Sequence, residues 1–102
     1  METNILTGFL PQKQELEKMS YLFSCFSDVT RLKILSALSL APMFVTELSV
    51  AIQANQTTVS HQLKIMKERG IVSSRRFGKM LKYQISSIFV SKILENGVDF
   101  FE

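Results

Sequence analysis

Between Asn55 and Ser86 an apolar stripe at helical spacing gives way to a glycine, and then to two alternating segments joined at a second glycine. No other stretch constrains the chain as tightly. Val59, Leu63 and Met66 fall at i, i+4 and i+7, with Ile65 beside them, which predicts a helix over about 56–69 with one buried face. Gly70 follows as the residue that closes such a helix in the left-handed region. Residues 71–77 and 80–86 then predict two strands around a tight Gly78-Lys79 turn.

Charge is concentrated on the same stretch. Residues 56–82 hold seven cations (Lys64, Lys67, Arg69, Arg75, Arg76, Lys79, Lys82) against the single anion Glu68, a net of +6. The remainder of the chain carries −3, so the overall +3 conceals a polarised molecule. A localised basic face is the footprint of a polyanion-binding surface. A polar helix followed by a basic hairpin has the layout of a winged helix-turn-helix: one helix for a DNA groove, one β-ribbon for the backbone beside it.

The rest of the chain supplies the expected scaffold. At 102 residues it makes one domain with one small core. Residues 1–10 read as a frayed leader and 11–102 as the DNA-binding and dimerisation domain, with Pro11 suited to a first helical turn. Leu16, Met19, Phe23 and Phe26 predict an amphipathic helix over about 12–25. Ser27 and Asp28 are N-cap types, and Leu32, Ile34, Leu35 and Leu38 form the buried set of the next helix, which stops before Pro42. Met43 to Val45 reads as a short extended piece at the edge of a small sheet. Thr46 is expected to cap a brief helix over 47–53, and Ala54-Asn55 to make the turn. Ser87 caps a last helix, weakened late by Asn96-Gly97. The expectation is a mainly α fold of about five helices with a two-stranded wing. Eight Phe and five Met are many for so small an interior, so part of that apolar surface is expected between subunits. No apolar run approaches the roughly 20 residues of a membrane helix, no secretory signal opens the chain, and the single Cys25 fits a reducing, cytoplasmic setting.

With Val59, Leu63 and Met66 turned inward, Gln56, Thr57, Thr58, Ser60, His61, Gln62 and Lys64 are left on the outer surface. Gln bonds adenine in a bidentate way, Thr and Ser bond bases or phosphates, and Thr methyls meet the thymine methyl. Lys64, Lys67, Arg75, Arg76, Lys79 and Lys82 suit phosphates, which set affinity and register.

At this point the chain resembles a known family. The run Asp28-Val-Thr-Arg31-Leu-Lys-Ile-Leu35, the Thr46-Glu-Leu48 helix start, Val59-Ser-His61-Gln62-Leu63, Glu68-Arg-Gly70-Ile-Val72 and the Gly78-Lys79…Tyr83 wing together resemble ArsR/SmtB-type repressors, over roughly residues 14–95. The resemblance implies a homodimer built mainly from the first and last helices, where Leu16, Met19, Phe23, Phe89, Ile93, Phe100 and Phe101 lie. It also implies an inverted-repeat operator and release of DNA when an inducer binds.

Many members of that family bind metal through a Cys-Val-Cys-type motif. The matching residues here are Phe44-Val45-Thr46, which supply no thiolate. The last helix offers Glu95, Asp99 and Glu102 but no His, so no metal and no cofactor is expected. His61 is open to two readings, a DNA contact or a link between the reading helix and its scaffold. Arg31, beside Asp28, reads as a structural ion pair or carbonyl cap. Cys25 reads as a small buried hydrophobe, with a thiol-responsive repressor as the alternative. A winged-helix module that binds protein instead of DNA is the competing class, and it has no use for four cations in the wing. An enzyme finds no phosphate loop, Cys-His arrangement or paired carboxylates.

Overall fold

A computed structural model describes residues 8–102. Five helices and three strands follow in the order α1 (Lys13–Ser24), α2 (Val29–Leu40), β1 (Met43–Phe44), α3 (Val45–Ile52), α4 (Gln56–Glu68), β2 (Val72–Phe77), β3 (Met80–Ile85) and α5 (Ile88–Phe101). Most of the expected leader, residues 1–7, lies outside the described residues, and Gly8 to Leu10 are exposed turn and bend.

Asp28 starts α2 as foreseen, its carboxylate accepting from the Arg31 N–H at 2.9 Å. At α3 the expectation of a Thr46 cap fails: Phe44 occupies the N-cap position, and Glu47 Oε1 accepts from the Phe44 N–H at 2.9 Å. The carboxylate of the third residue reaches back to the helix start and replaces the hydroxyl. The extended piece expected from Met43 forms the edge strand, β1 pairing antiparallel with β3 in the order β1-β3-β2, Phe44 opposite Lys82. Asn96-Gly97 does not interrupt α5, which runs on to Phe101.

The core gathers Ile34, Leu35 and Leu38 of α2, Leu48 of α3, Val59, Leu63 and Met66 of α4, Val72 and Tyr83 of the sheet, and Cys25 at the end of α1. Ser49, buried on α3, turns its hydroxyl back on the helix and donates to the Val45 and Thr46 carbonyls. The turn between α3 and α4 has no glycine. Gln53 takes φ 54° there, a left-handed conformation in a residue with a side chain, at a cost of roughly 1 kcal/mol.

Candidate nucleic-acid interface

The reading helix α4 is fixed at both ends. Asn55 Oδ1 accepts from the Thr57 N–H at 2.7 Å and the Thr58 N–H at 3.4 Å, satisfying donors that the helix itself leaves free. At the other end Gly70 (φ 77°) donates to the Lys67 carbonyl at 3.0 Å, and the Ile71 N–H to the Met66 carbonyl at 2.9 Å. That is the Schellman arrangement, and it turns the chain directly into β2. Ser86 Oγ ties the far end of the wing back to the same turn, donating to the Ile71 carbonyl at 2.9 Å.

Between these ends the helix divides cleanly. Val59, Leu63 and Met66 are fully buried, while Gln56, Thr57, Thr58, Ser60, His61, Lys64 and Lys67 are exposed. Gln56, Thr57, Ser60, His61 and Lys64 share the lining of one shallow surface concavity with Val45. Seven of the predicted side chains on this helix are therefore exposed, Thr58 and Lys67 among them.

Gln62 is held differently from the free polar side chain that the sequence suggested. It is half-buried, and its Oε1 accepts from Arg31 Nε at 2.8 Å. Arg31 thus reaches across from α2 to the reading helix instead of pairing with Asp28, which bonds its backbone. A second strut lies two turns further on, where the Arg69 guanidinium sits 4.5 Å above the Tyr21 ring of α1. Of the two readings open for His61, the link from reading helix to scaffold is made instead by its neighbour Gln62 and by Arg69. Sequence reading missed both struts because their partners lie far away in the chain.

The hairpin turns at Gly78, whose φ of 62° with no positive φ at Lys79 is the pattern of a type II′ turn. Register alternates its faces: Val72, Ser74 and Arg76 oppose Ile85, Tyr83 and Leu81, and Ser73, Arg75 and Phe77 oppose Gln84, Lys82 and Met80. Arg75, Arg76 and Lys79 are exposed. Lys82 is half-buried, its Nζ 5.3 Å from the Phe44 ring and 5.8 Å from the Phe77 ring, and the two rings meet edge to face at 5.9 Å. The aromatic faces offset the repulsion that Arg75 directly opposite would otherwise impose.

Two features bear on a sensor. Phe44-Val45-Thr46 offers a packed ring and a hydroxyl in place of thiolates, and among the described residues no three His, Cys, Asp or Glu side chains gather to hold a metal. These residues do not fit a soft metal ion. Cys25 is fully buried; burial pushes its thiol above the ordinary 9.0, against the opposing pull of the Arg31 cation.

Comparison with known proteins decides the family. Residues 28–74 match the model for bacterial regulatory proteins of the arsR family. The cadmium resistance transcriptional regulatory protein CadC of Listeria innocua is 36% identical over 85 residues, covering 82% of this chain and 71% of that protein. The chain belongs to the ArsR family. It is a transcriptional regulator with a DNA-binding winged helix-turn-helix. A transcriptional repressor SmtB homolog of Synechocystis is 29% identical over 83% of this chain, which spans 64% of that relative's length. Among solved structures, the AntR antimony-specific transcriptional repressor superposes with a TM-score of 0.81 at 30% identity, covering 90% of this chain and 84% of that one. Among the described residues no helix is long and apolar enough to cross a membrane.

Proposed function

We propose that this ArsR-family chain is a homodimeric repressor that binds an inverted-repeat operator and acts in the cytoplasm, without catalytic activity. The observation that carries the reading is the division of α4: three fully buried apolar residues on one side, and exposed Gln56, Thr57, Thr58, Ser60, His61 and Lys64 on the other. The polar set reads base edges in a major groove. Lys64 and Lys67, with Arg75, Arg76, Lys79 and Lys82 of the wing, bind phosphates on either side and fix the register. Gln62 keeps its amide N–H groups for the DNA while its carbonyl is held by Arg31.

The dimer rests on the terminal helices. Leu16, Met19 and Phe23 of α1 are exposed, as are Phe89, Phe100 and Phe101 of α5, with Phe89 at 71% and Phe101 at 87%. Ile93 is half-buried beside them. An apolar surface of this kind on two helices marks an interface between subunits. Two-fold symmetry then sets the reading helices about 34 Å apart, one turn of DNA, and asks for a near-palindrome.

The signal that releases DNA is proposed not to be a soft metal at the Phe44-Val45-Thr46 position, since these residues supply no thiolate. The buried thiol, its ionisation opposed, favours packing over redox sensing for Cys25.

Selection of bound fragments from genomic DNA by the purified protein, followed by footprinting over a salt series, tests the reading. A single palindrome should emerge, with log affinity falling against log salt at a slope of about −5 or steeper. Zinc should leave binding unchanged. Absence of any enriched duplex at low salt would return the chain to the class of protein-interaction modules.

A further inference from the structure

The wing ends in something that phosphate binding does not require. Phe77 and Met80 form the last cross-strand pair before the Gly78-Lys79 turn, side by side on one face of the hairpin. They are 50% and 47% exposed. Phe77 is not a loose ring, because Phe44 of β1 braces it edge-on across β3 and the Lys82 ammonium of β3 lies 5.8 Å from its centre. The pair therefore presents an apolar tip on a tight turn, with its ring held in place.

The surroundings restrict what this tip can meet. Arg75, Arg76, Lys79 and Lys82 lie in the same hairpin, and the sequence contains no Asp or Glu between Glu68 and Glu95. A hydrophobic protein partner would have to be acidic at close range on every side. A DNA minor groove is both anionic at its rims and apolar along its sugar walls. Apolar side chains on strands or arms enter such grooves, part a base step and kink the duplex, while neighbouring Arg and Lys hold the phosphates.

We propose that Phe77 and Met80 form a wedge that enters the minor groove flanking each operator half-site, so that affinity depends on how easily the base step there unstacks. The wedge rests on the DNA-binding reading above and deepens it. Phe77 supplies the stiff leading edge and Met80 the adaptable filler. The cations beside them supply affinity without step preference. Flexible pyrimidine–purine steps, TA and CA, are favoured at the wing position over stiff steps that the protein never contacts by hydrogen bonds.

The test uses the full-length protein and a pool of duplexes with a random 30-base-pair centre. Duplexes recovered with the wild type should carry TA or CA steps at a fixed distance from the reading-helix half-site. Replacing that step with GG should weaken binding by about tenfold. The double variant Phe77→Ser, Met80→Thr should lose this discrimination while keeping the wild-type salt slope, because the cations remain. Arg76→Ala should do the reverse, lowering the slope by about one per protomer and keeping the step preference. Met80→Thr alone leaves the Phe44–Phe77 packing intact and should lose part of the discrimination, which covers the case of a double variant that folds poorly. A 2-aminopurine placed at the step should brighten on binding wild type and stay dark with the double variant.

Undiminished binding to GG-substituted duplexes by wild type, or equal brightening with both proteins, overturns the wedge and leaves DNA binding standing. Binding to no duplex at all overturns both. A double variant that changes oligomeric state in sedimentation, with its step preference intact, also overturns it and makes the tip a contact between copies of the chain.

Discussion

The reading helix and the terminal helices are both amphipathic, yet they meet opposite fates in one protomer. Helix α4 buries its whole apolar stripe, is capped by Asn55 and Gly70, and is strutted by Arg31 and Tyr21. Helix α1 buries no residue along its length and has no side-chain cap at Gln12, and α5 buries Val90 alone. The protomer thus completes its DNA-reading half by itself and leaves the apolar faces of α1 and α5 unspent. Stability in the first region belongs to folding, and in the second, on the proposed dimer, to association.

Truncating the core stripe should produce the largest effect. Leu63 is fully buried under the reading helix. Leu63→Ala is expected to cost about 2–5 kcal/mol of folding stability, with a loss of denaturation midpoint that does not vary with protein concentration. Phe89→Ala attacks the other half. It should barely alter the fold of the protomer, but weaken the dimer by roughly 2 kcal/mol, about thirtyfold in its dissociation constant. Sedimentation at several concentrations separates the two. A Phe89→Ala protein whose dimer is as tight as wild type would erase the contrast between the regions.

How much of this could be read without coordinates follows the same division. Periodicity located α4 and its buried set because Val59, Leu63 and Met66 satisfy a local rule, and Gly70 and Gly78 marked two conformations that few other residues adopt. The α3–α4 turn was harder, because Gln53 takes a left-handed φ with no glycine to announce it. The start of α3 was misjudged because Thr46 is a strong cap by type, while Glu47 reaching back to the Phe44 N–H is a reciprocal bond that depends on where β1 ends. The strut from Arg31 to Gln62 crosses the fold, and no spacing rule links residues so far apart. Composition signalled surplus apolar surface, and the terminal helices are where the fold leaves it.

The struts give the next, smaller effect. Arg31→Ala removes a charge-assisted donor from a half-buried amide and is expected to cost on the order of 1 kcal/mol, the partial exposure reducing the usual value. Its consequence for DNA should exceed its consequence for folding, since Gln62 loses the contact that orients it. A double-mutant cycle of Arg31→Ala with Gln62→Ala, read in operator affinity, should show coupling of about 1 kcal/mol. Additive effects would mean that Gln62 reads DNA without help from α2. Arg69→Ala, which strips the cation from the Tyr21 ring, should cost about 0.5–1 kcal/mol and loosen α1 from α4.

The smallest effect concerns the point where the two regions join. Cys25 ends α1 and is fully buried, so it anchors the sparsely packed helix to the core. Burial raises its thiol above 9.0 in the folded chain, despite Arg31 nearby, so the neutral form is favoured by folding. The unfolded chain releases that proton first as pH rises. The stabilisation is therefore whole below about pH 9, and is lost as pH climbs from there through the raised folded value. Burial also raises Tyr83, and Tyr21 more through burial than through Cys25 beside it, but both add their losses only above 10.0. Thermal melts of wild type between about pH 8 and 10 should thus decline more steeply than those of Cys25→Ala, whatever their offset at neutral pH. A thiol reagent should modify the native protein slowly and the unfolded chain at once, because the native sulfur is both covered and protonated. Parallel melting slopes, or fast labelling of the native dimer, would place Cys25 outside the core and shift the junction of the two regions toward α2.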